Sequence, residues 1–539
     1  MKNKRLYESS ILLIDDQPLA LSYMKQSLES LGFSDISIAE NAKMALGLCQ
    51  EHTFNLVLCS FNLGKLKDGY QLYEELKTKR LIKNICGFIF ISAETDTSLV
   101  HSVIELQPDD FLAKPFSLKV FGERIVKLLK RKQALAQIYD FIDVGNDSKA
   151  LRYVNEMLAD SSKNHLSPIL LKLRGELLLR LKRTAEAIDF FKSVLNIQKF
   201  TWARVGLVEA YIQNSEFTQA KNILEVMLTK PETRLVGYHL LGKLELFLEN
   251  YQQAQHYLSL ASKLAPRNIE RQEDLIILSK YNHDHEKHFR VNKELVKYAK
   301  HSMHDKPDIY LNLARAGIDY ALTLDQADIV NRLTRQSNEC LSELRKQFPD
   351  SKAQEQIDVI NARIHYLKDE RSKAIALVEQ LEDQPIIRSV DDTLDKAKAF
   401  HELGMHHKAN QLFAKLTEHC GKYQSDNAAL NAYLKQEQQE RDEIRYSPKE
   451  LNNNAVHSYE KGKYEEALNY FTQAFRIMPK NPNIALNLLQ VMLDTKHPSS
   501  QSLNKAMISR CMDTINNAKL DAEQQARLDK LKPMINSVI

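Results

Sequence analysis

An alanine followed four places later by a larger apolar residue recurs along the middle of this chain, at Ala150 with Val154, Ala187 with Phe191, Ala220 with Leu224 and Ala254 with Leu258. The alanines are 37, 33 and 34 residues apart. Twelve positions before them lie Ile138, Gly175, Val208 and Gly242, and seven after them lie Met157, Val194, Met227 and Ala261. Each period therefore reads as two helices, and Pro231 and Pro266 close two of the units. A unit of this size cannot bury its apolar side alone. Neighbouring pairs must stack, with small residues where helices approach closely and larger ones filling the adjoining groove.

Helical periodicity continues to the end of the 539 residues, and only 15 Gly and 14 Pro interrupt the chain. The clearest copy is GKYEEALNYFTQAFRIMPKNP, with Gly462, Tyr464, Ala467, Phe471, Ala474 and Pro479 at the positions that carry the pattern. Weaker copies surround Ala374, Val378 and Leu381, then Ala409, Phe413 and Leu416. The set resembles the tetratricopeptide repeat. That resemblance implies an all-α solenoid whose concave face, lined by the first helix of each pair, holds a peptide or helix of a protein partner. Trp202, Tyr211, Phe191 and Phe471 are read as packing between helices.

The first 130 residues differ. Short apolar runs, Ile11 to Ile14, Ile36 to Ile38, Leu56 to Cys59, Phe88 to Ile91 and Phe111 to Ala113, alternate with amphipathic helical patterns such as Leu21, Met24, Leu28 and Leu31 before Gly32. This is the pattern of a doubly wound α/β sheet, whose functional groups gather at the carboxyl ends of the strands. Those ends carry Asp15 and Asp16, Ser60, Ser92, and Lys114 followed by Pro115. With Asp68-Gly69 and Phe111 they resemble the receiver domain of bacterial two-component response regulators over residues 9 to 131, a flavodoxin-like fold.

The resemblance implies a receiver pocket of Asp15, Asp16, Ser92 and Lys114. Asp15 and Asp16 would hold a divalent metal, Ser92 would sense a phosphoryl group, Lys114 would be its counter-ion and Phe111 the switch aromatic. Mg²⁺ is the cofactor it admits, and none is required. The sequence departs from the family at the phosphoacceptor position, where LVLCSFNLG aligns Ser60 in place of aspartate, one residue further than usual from Asp68-Gly69. A serine hydroxyl without a neighbouring base is a poor nucleophile, so the usual phosphorylation route is not expected. Asp15, Asp16, Ser92 and Lys114 also admit a plain reading as strand-end acids, a turn hydroxyl and a salt-bridge partner.

Other classes find little support. The 74 Lys+Arg against 70 Asp+Glu leave a net charge of +4 without long blocks of either sign, which argues against a nucleic-acid surface. Six cysteines at scattered positions fit a reducing, cytoplasmic setting, and Ile11 to Ile14 is too short for a signal peptide or membrane span. No phosphate loop or nucleophile motif suggests an enzyme. His283, His285 and His288, and the pair His406 and His407, read as solvated surface before metal ligands. The expected organisation is a tail at 1–8, the receiver at 9–131, repeats at 132–267, irregular helices at 268–350, degenerate repeats at 351–424, a connecting helix at 425–447, and a C-terminal repeat with capping helices at 448–539. The function this implies is a non-catalytic signalling adaptor binding protein partners through the solenoid. The receiver would dock through its last strand and flanking helices, near Val100, Val103 and Ile104, including on a second copy as a homodimer. A phosphorelay regulator with repeat output and a structural assembly scaffold are the alternatives.

Overall fold

A computed structural model describes residues 4–64, 66–94, 96–324, 326–381, 389–422, 427–494, 501–518 and 520–538. The chain divides into two compact units. One runs to Arg271 and takes in Tyr298–Asp305; the other comprises Gln272–Lys297 and the residues from Lys306 onward.

The first unit begins with a short helix α1 (Lys4–Tyr7) and a parallel sheet of β1 (Ile11–Ile14), β2 (Ile36–Ala39), β3 (Leu56–Ser60), β4 (Gly87–Ser92) and β5 (Asp110–Ala113). The strand order is β2-β1-β3-β4-β5. The interior strands β1, β3 and β4 are buried along their whole length, which is why they read as unbroken apolar runs and not as alternation. Helices α2 (Pro18–Ser30) and α6 (Leu118–Ala134) cover the face carrying Ile11, Leu13, Leu56, Leu58, Ile89 and Ile91. On the opposite face, α3 (Ala42–Glu51), α4 (Gly69–Thr78) and α5 (Thr97–Glu105) pack over Leu12, Ile14, Val57, Cys59, Phe88 and Phe90. Side chains of capping residues start these helices: Asn41, Asp68, Asp96 and Ser117 each accept from a backbone amide one turn in.

After α6 the chain turns directly into helix pairs, Ala136–Asp143 with Asp147–Ala159, Ser167–Arg180 with Thr184–Ile197, Thr201–Gln213 with Phe217–Leu228, and Pro231–Phe247 with Tyr251–Leu264. Ala150, Ala187, Ala220 and Ala254 are fully buried, as are Ile138 and Val208. Gly175 and Gly242 mark close approaches. A Cβ on Gly175 would come within 2.5 Å of the Phe191 ring, and one on Gly242 within 2.5 Å of Leu258. Phe191, Tyr211 and Phe471 are buried in these packings, and Trp202 lies edge-on to Phe191.

In the second unit the pair Pro307–Ala321 and Ala327–Gln347 falls in the stretch expected to be irregular. Gln354–Leu367 with Arg371–Glu379 and Val390–Glu402 with His406–Lys422 follow. Ala428–Glu443 then leads to the C-terminal copy, Pro448–Glu460 with Tyr464–Ile477, and to Pro482–Asp494, Gln501–Asn517 and Ala522–Val538. Most turns between paired helices carry a left-handed residue: glycine at Gly145 (φ 73°), Gly404 (80°) and Gly462 (75°), but Lys182 (53°), Ser215 (60°), Glu249 (60°) and Asp369 (60°) in others. No described helix is long and apolar enough to cross a membrane.

Candidate functional site

The parallel register brings the carboxyl ends of four strands to one edge of the sheet. Ile14 pairs with Cys59, Ser60 with Ile91, and Ser92 with Ala113. Asp15, at the end of β1, is buried and its carboxylate is fully engaged: Gln17 N donates to Oδ1 at 3.0 Å and Lys114 Nζ to Oδ2 at 3.0 Å. Asp16 beside it is exposed, and the backbone at Gly64 passes close to its Oδ2. Ser60 is buried at the end of β3.

Ser92 is also buried, and its hydroxyl accepts from Glu94 N at 3.0 Å, shaping the turn into α5. Lys114 N donates to Ser92 O at 2.7 Å, which ties the ends of β4 and β5 together. Phe111 is half-buried on β5, its carbonyl accepting from Arg124 at 3.1 Å. Asn62 and Glu94, absent from the sequence-based site, bridge the mouth of the pocket at 2.7 Å. The Cys59 thiol is held well above its usual pKa by burial, reinforced by the charges of Asp68 and Asp15, so it supplies no thiolate nucleophile.

The structure thus brings Asp15, Ser92 and Lys114 into one bonded arrangement, with Asp16 and Ser60 at the same edge. Its chemistry is that of one neutralised carboxylate, one free one and two hydroxyls.

A second polar constellation joins this domain to the repeats of the same unit. Arg271 is fully buried and grips Glu105 with both guanidinium nitrogens, at 2.7 and 2.8 Å, while donating to Ala265 O at 2.6 Å. Arg267 pairs with Asp68 at 2.6 Å and lies over the rings of Phe61, Tyr70 and Tyr298, 5.0–5.4 Å from their centroids. Gln71 Nε2 donates to the carbonyls of Tyr298 and Lys300, and His304 meets Glu74 at 3.2 Å. The receiver therefore meets the repeats through α4 and the end of α5. The expected docking face, β5 with its two flanking helices, takes part in this contact through α5, whose end supplies Glu105; of the residues expected beside it, Val103 is buried on the sheet side of α5 and Ile104 stays exposed. Sequence inspection missed Arg267 and Arg271 because isolated arginines after Pro266 carry no local signal of burial.

In the second unit the inward faces of the first helices are charged and closed. Arg363, fully buried, reaches Asp395 at 2.6 Å, Glu402 at 2.6 Å and Asp319 at 2.7 Å. Arg315 pairs with Asp392 at 2.6 Å, and Lys398 with Asp319 at 2.9 Å. The same unit's residues 280–288 lie against this face: Lys280 binds Asp391 at 2.6 Å and His283 binds Glu440 at 2.9 Å. A cavity of about 20 Å³ remains between them, room for about one water. The solvated reading is corrected here for the histidines of the 283–288 segment, while His407 is exposed as expected. His288 is buried, and burial followed by the charge of Lys280 pushes its pKa down to about 3. His285 falls to about 4, again through burial first. Among the described residues no group of three or more His, Cys, Asp or Glu is placed to hold a metal ion.

With this geometry in view, the comparisons with known proteins are specific. A family model described as a response regulator receiver domain matches residues 11–126, and two tetratricopeptide repeat models match 236–268 and 458–500. The chain is 29% identical over 109 residues to a probable chemotaxis protein CheY of Rhizobium etli, covering 20% of this chain and 83% of that protein. It is 30% identical over 146 residues to the probable transcriptional regulator ycf27 of Cyanidium caldarium, covering 26% of this chain but only 55% of that regulator. A crystal structure of a CheY-like receiver domain protein from Methanospirillum hungatei JF-1 aligns at 24% identity and a TM-score of 0.22, over 24% of this chain and 98% of its own. The chain carries an N-terminal response regulator receiver domain followed by tetratricopeptide repeats.

Proposed function

We propose that this protein is a non-catalytic signalling adaptor that binds protein partners through its repeats, with a receiver domain that does not take phosphate by the usual aspartyl route. The observation that supports this reading is the buried Ser60 at the end of β3, the position that the resemblance to receivers gives to the carboxylate nucleophile. Among the described residues no base is bonded to it, and the adjacent Asp15 is already committed to Lys114. On this reading residues 9–131 form the regulatory part, and 132–539 the binding part.

The pocket still suits a weakly held Mg²⁺. Asp16 offers a free carboxylate, and Asp15 one that a dication would share with Lys114; a third acid at position 60 is missing. The reading in which phosphorylation controls the protein draws support from the same Lys114–Asp15 contact, since a lysine held at that edge suits an incoming anion.

Intact mass measurement after incubation with Mg²⁺ and a small-molecule phosphodonor separates the two. An unchanged mass is expected. An acid-stable +80 Da adduct lost in Ser60→Ala would show phosphoserine chemistry, and a labile adduct elsewhere would restore the phospho-controlled reading.

A further inference from the structure

The receiver is attached to the repeats of its unit at two places far apart in sequence. The first is covalent, where α6 runs into Ala136–Asp143, and it is reinforced by Lys132 Nζ donating to Asn84 O at 2.8 Å and Asn84 Nδ2 donating to Asp143 at 2.5 Å. The second is the polar seat of Arg267, Arg271, Tyr298 and His304, after four helix pairs have intervened. The fourth pair reaches the receiver directly, with Tyr251–Leu264 packed on α5. The four pairs are thus closed into a loop by the receiver.

The seat engages the receiver at the loop that leaves Ser60. Asp68 caps α4 by accepting from Gln71 N at 2.9 Å, and Gln71 returns the bond by accepting from Asp68 N at 3.2 Å. The same two side chains face the repeats, Asp68 to Arg267 and Gln71 to the carbonyls of Tyr298 and Lys300. Upstream, Gly69 N donates to Phe61 O at 2.7 Å, and a Cβ at Gly69 would collide with Ser60 O. An unbroken run of backbone packing and shared hydrogen bonds therefore joins Ser60 to Arg267. A shift of this loop bears on the cap and the seat together, because both use Asp68 and Gln71.

We propose that the receiver is a clasp on the first four helix pairs, and that the start of α4, not the last strand, is where the state of the Ser60 edge is passed to the repeats. The occupant of the seat is the chain's own acidic receiver face of Asp68, Glu74 and Glu105, matched to a cationic and aromatic surface. This holds whether or not the pocket takes up phosphate, so its failure and that of the adaptor reading are separable.

Amide hydrogen exchange on the full chain tests it with two variants on opposite sides of the joint. Arg267→Ala removes a caged, paired cation from the repeats, and exchange in residues 61–72 is expected to quicken about tenfold while 187–227 keeps its rate. Gly69→Ala touches nothing in the repeats, yet should quicken exchange in 298–305 by a similar factor. Should Gly69→Ala fail to fold, Asp68→Asn keeps the cap, drops the charge facing Arg267, and should act in the same direction. Wild-type exchange at 298–305 in the receiver-side variant, or at 61–72 in Arg267→Ala, would overturn the proposal.

Discussion

At the scale of single residues, two kinds of burial dominate, one that leaves no room for an added atom and one that depends on a shared cation. Gly242 lies where Leu258 leaves no room, with its Cδ2 at 2.5 Å and its backbone N at 3.1 Å from a Cβ built there. Gly242→Ala would gain about 1 kcal/mol of helix propensity. Overpacking costs about 1–3 kcal/mol and wins here, because part of the obstruction is backbone that cannot rotate away. Chemical denaturation should show a net loss of up to about 2 kcal/mol. Arg363 presents the converse case. Its removal leaves Asp319, Asp395 and Glu402 without their shared cation, and Arg363→Ala should lower stability by about 3–5 kcal/mol. Arg363→Lys should recover only part of that, since one ammonium cannot reach three carboxylates as the guanidinium fork does; equal stability of the Lys variant and the parent would sink this account of the network.

At the scale of elements, the sequence spoke clearly where periodicity was the cause and faintly where partners were distant. The five strands fall where the apolar runs placed them: β1, β3 and β4, buried along their whole length, must be apolar throughout, while the edge strands β2 and β5 are only partly buried. The alanine and glycine positions of the first four pairs were legible for the same reason, as size is a local property. The segment VDDTLDKAKAFHE (Val390–Glu402) was not, because its polar residues look solvent-facing, yet Asp395, Lys396, Lys398 and Glu402 are buried. Their partners lie 32 to 80 residues away, and no local pattern announces such pairing. The turn chemistry was half-legible. Gly462 marks its turn, but Lys182 adopts the same left-handed conformation without being glycine. Lys182→Gly should therefore raise the unfolding midpoint slightly, by the equivalent of about 0.5–1 kcal/mol. Ser447 starts Pro448–Glu460 with a capping box to Glu450 and shares a 2.7 Å hydrogen bond with the buried Tyr366 hydroxyl. Ser447→Ala should cost about 1–3 kcal/mol, measured by denaturation, because both the cap and a buried partner are lost.

At the scale of the whole molecule, the two units differ in how many histidines they bury uncharged. In the second unit, burial first, then neighbouring cations, push His288 and His401 down to about 3 and His285 to about 4, against an ordinary value near 6.5. His288 faces Lys280, Asp319 and Lys398, and His401 faces Arg441, His406 and Glu437. Among its described residues the first unit has one such group, His239 at about 4, depressed by burial and by Arg271. Below pH 6.5 the unfolded chain binds protons at these positions while the folded chain does not. Stability is therefore full above pH 6.5 and falls as pH drops toward the depressed values. Each histidine contributes a loss of about 2 kcal/mol between pH 6.5 and 5, so the second unit loses roughly three times as much as the first. Depressed carboxylates such as Asp284 and Glu437 act in the same direction only at lower pH, as they begin to protonate. Urea unfolding followed by hydrogen exchange at pH 7, 6 and 5 should show the second unit's free energy dropping steeply and the first unit's gently. In His288→Gln the second unit's slope should shrink by about one proton, and parallel slopes in the two units would mean that these histidines are not held neutral in the folded chain.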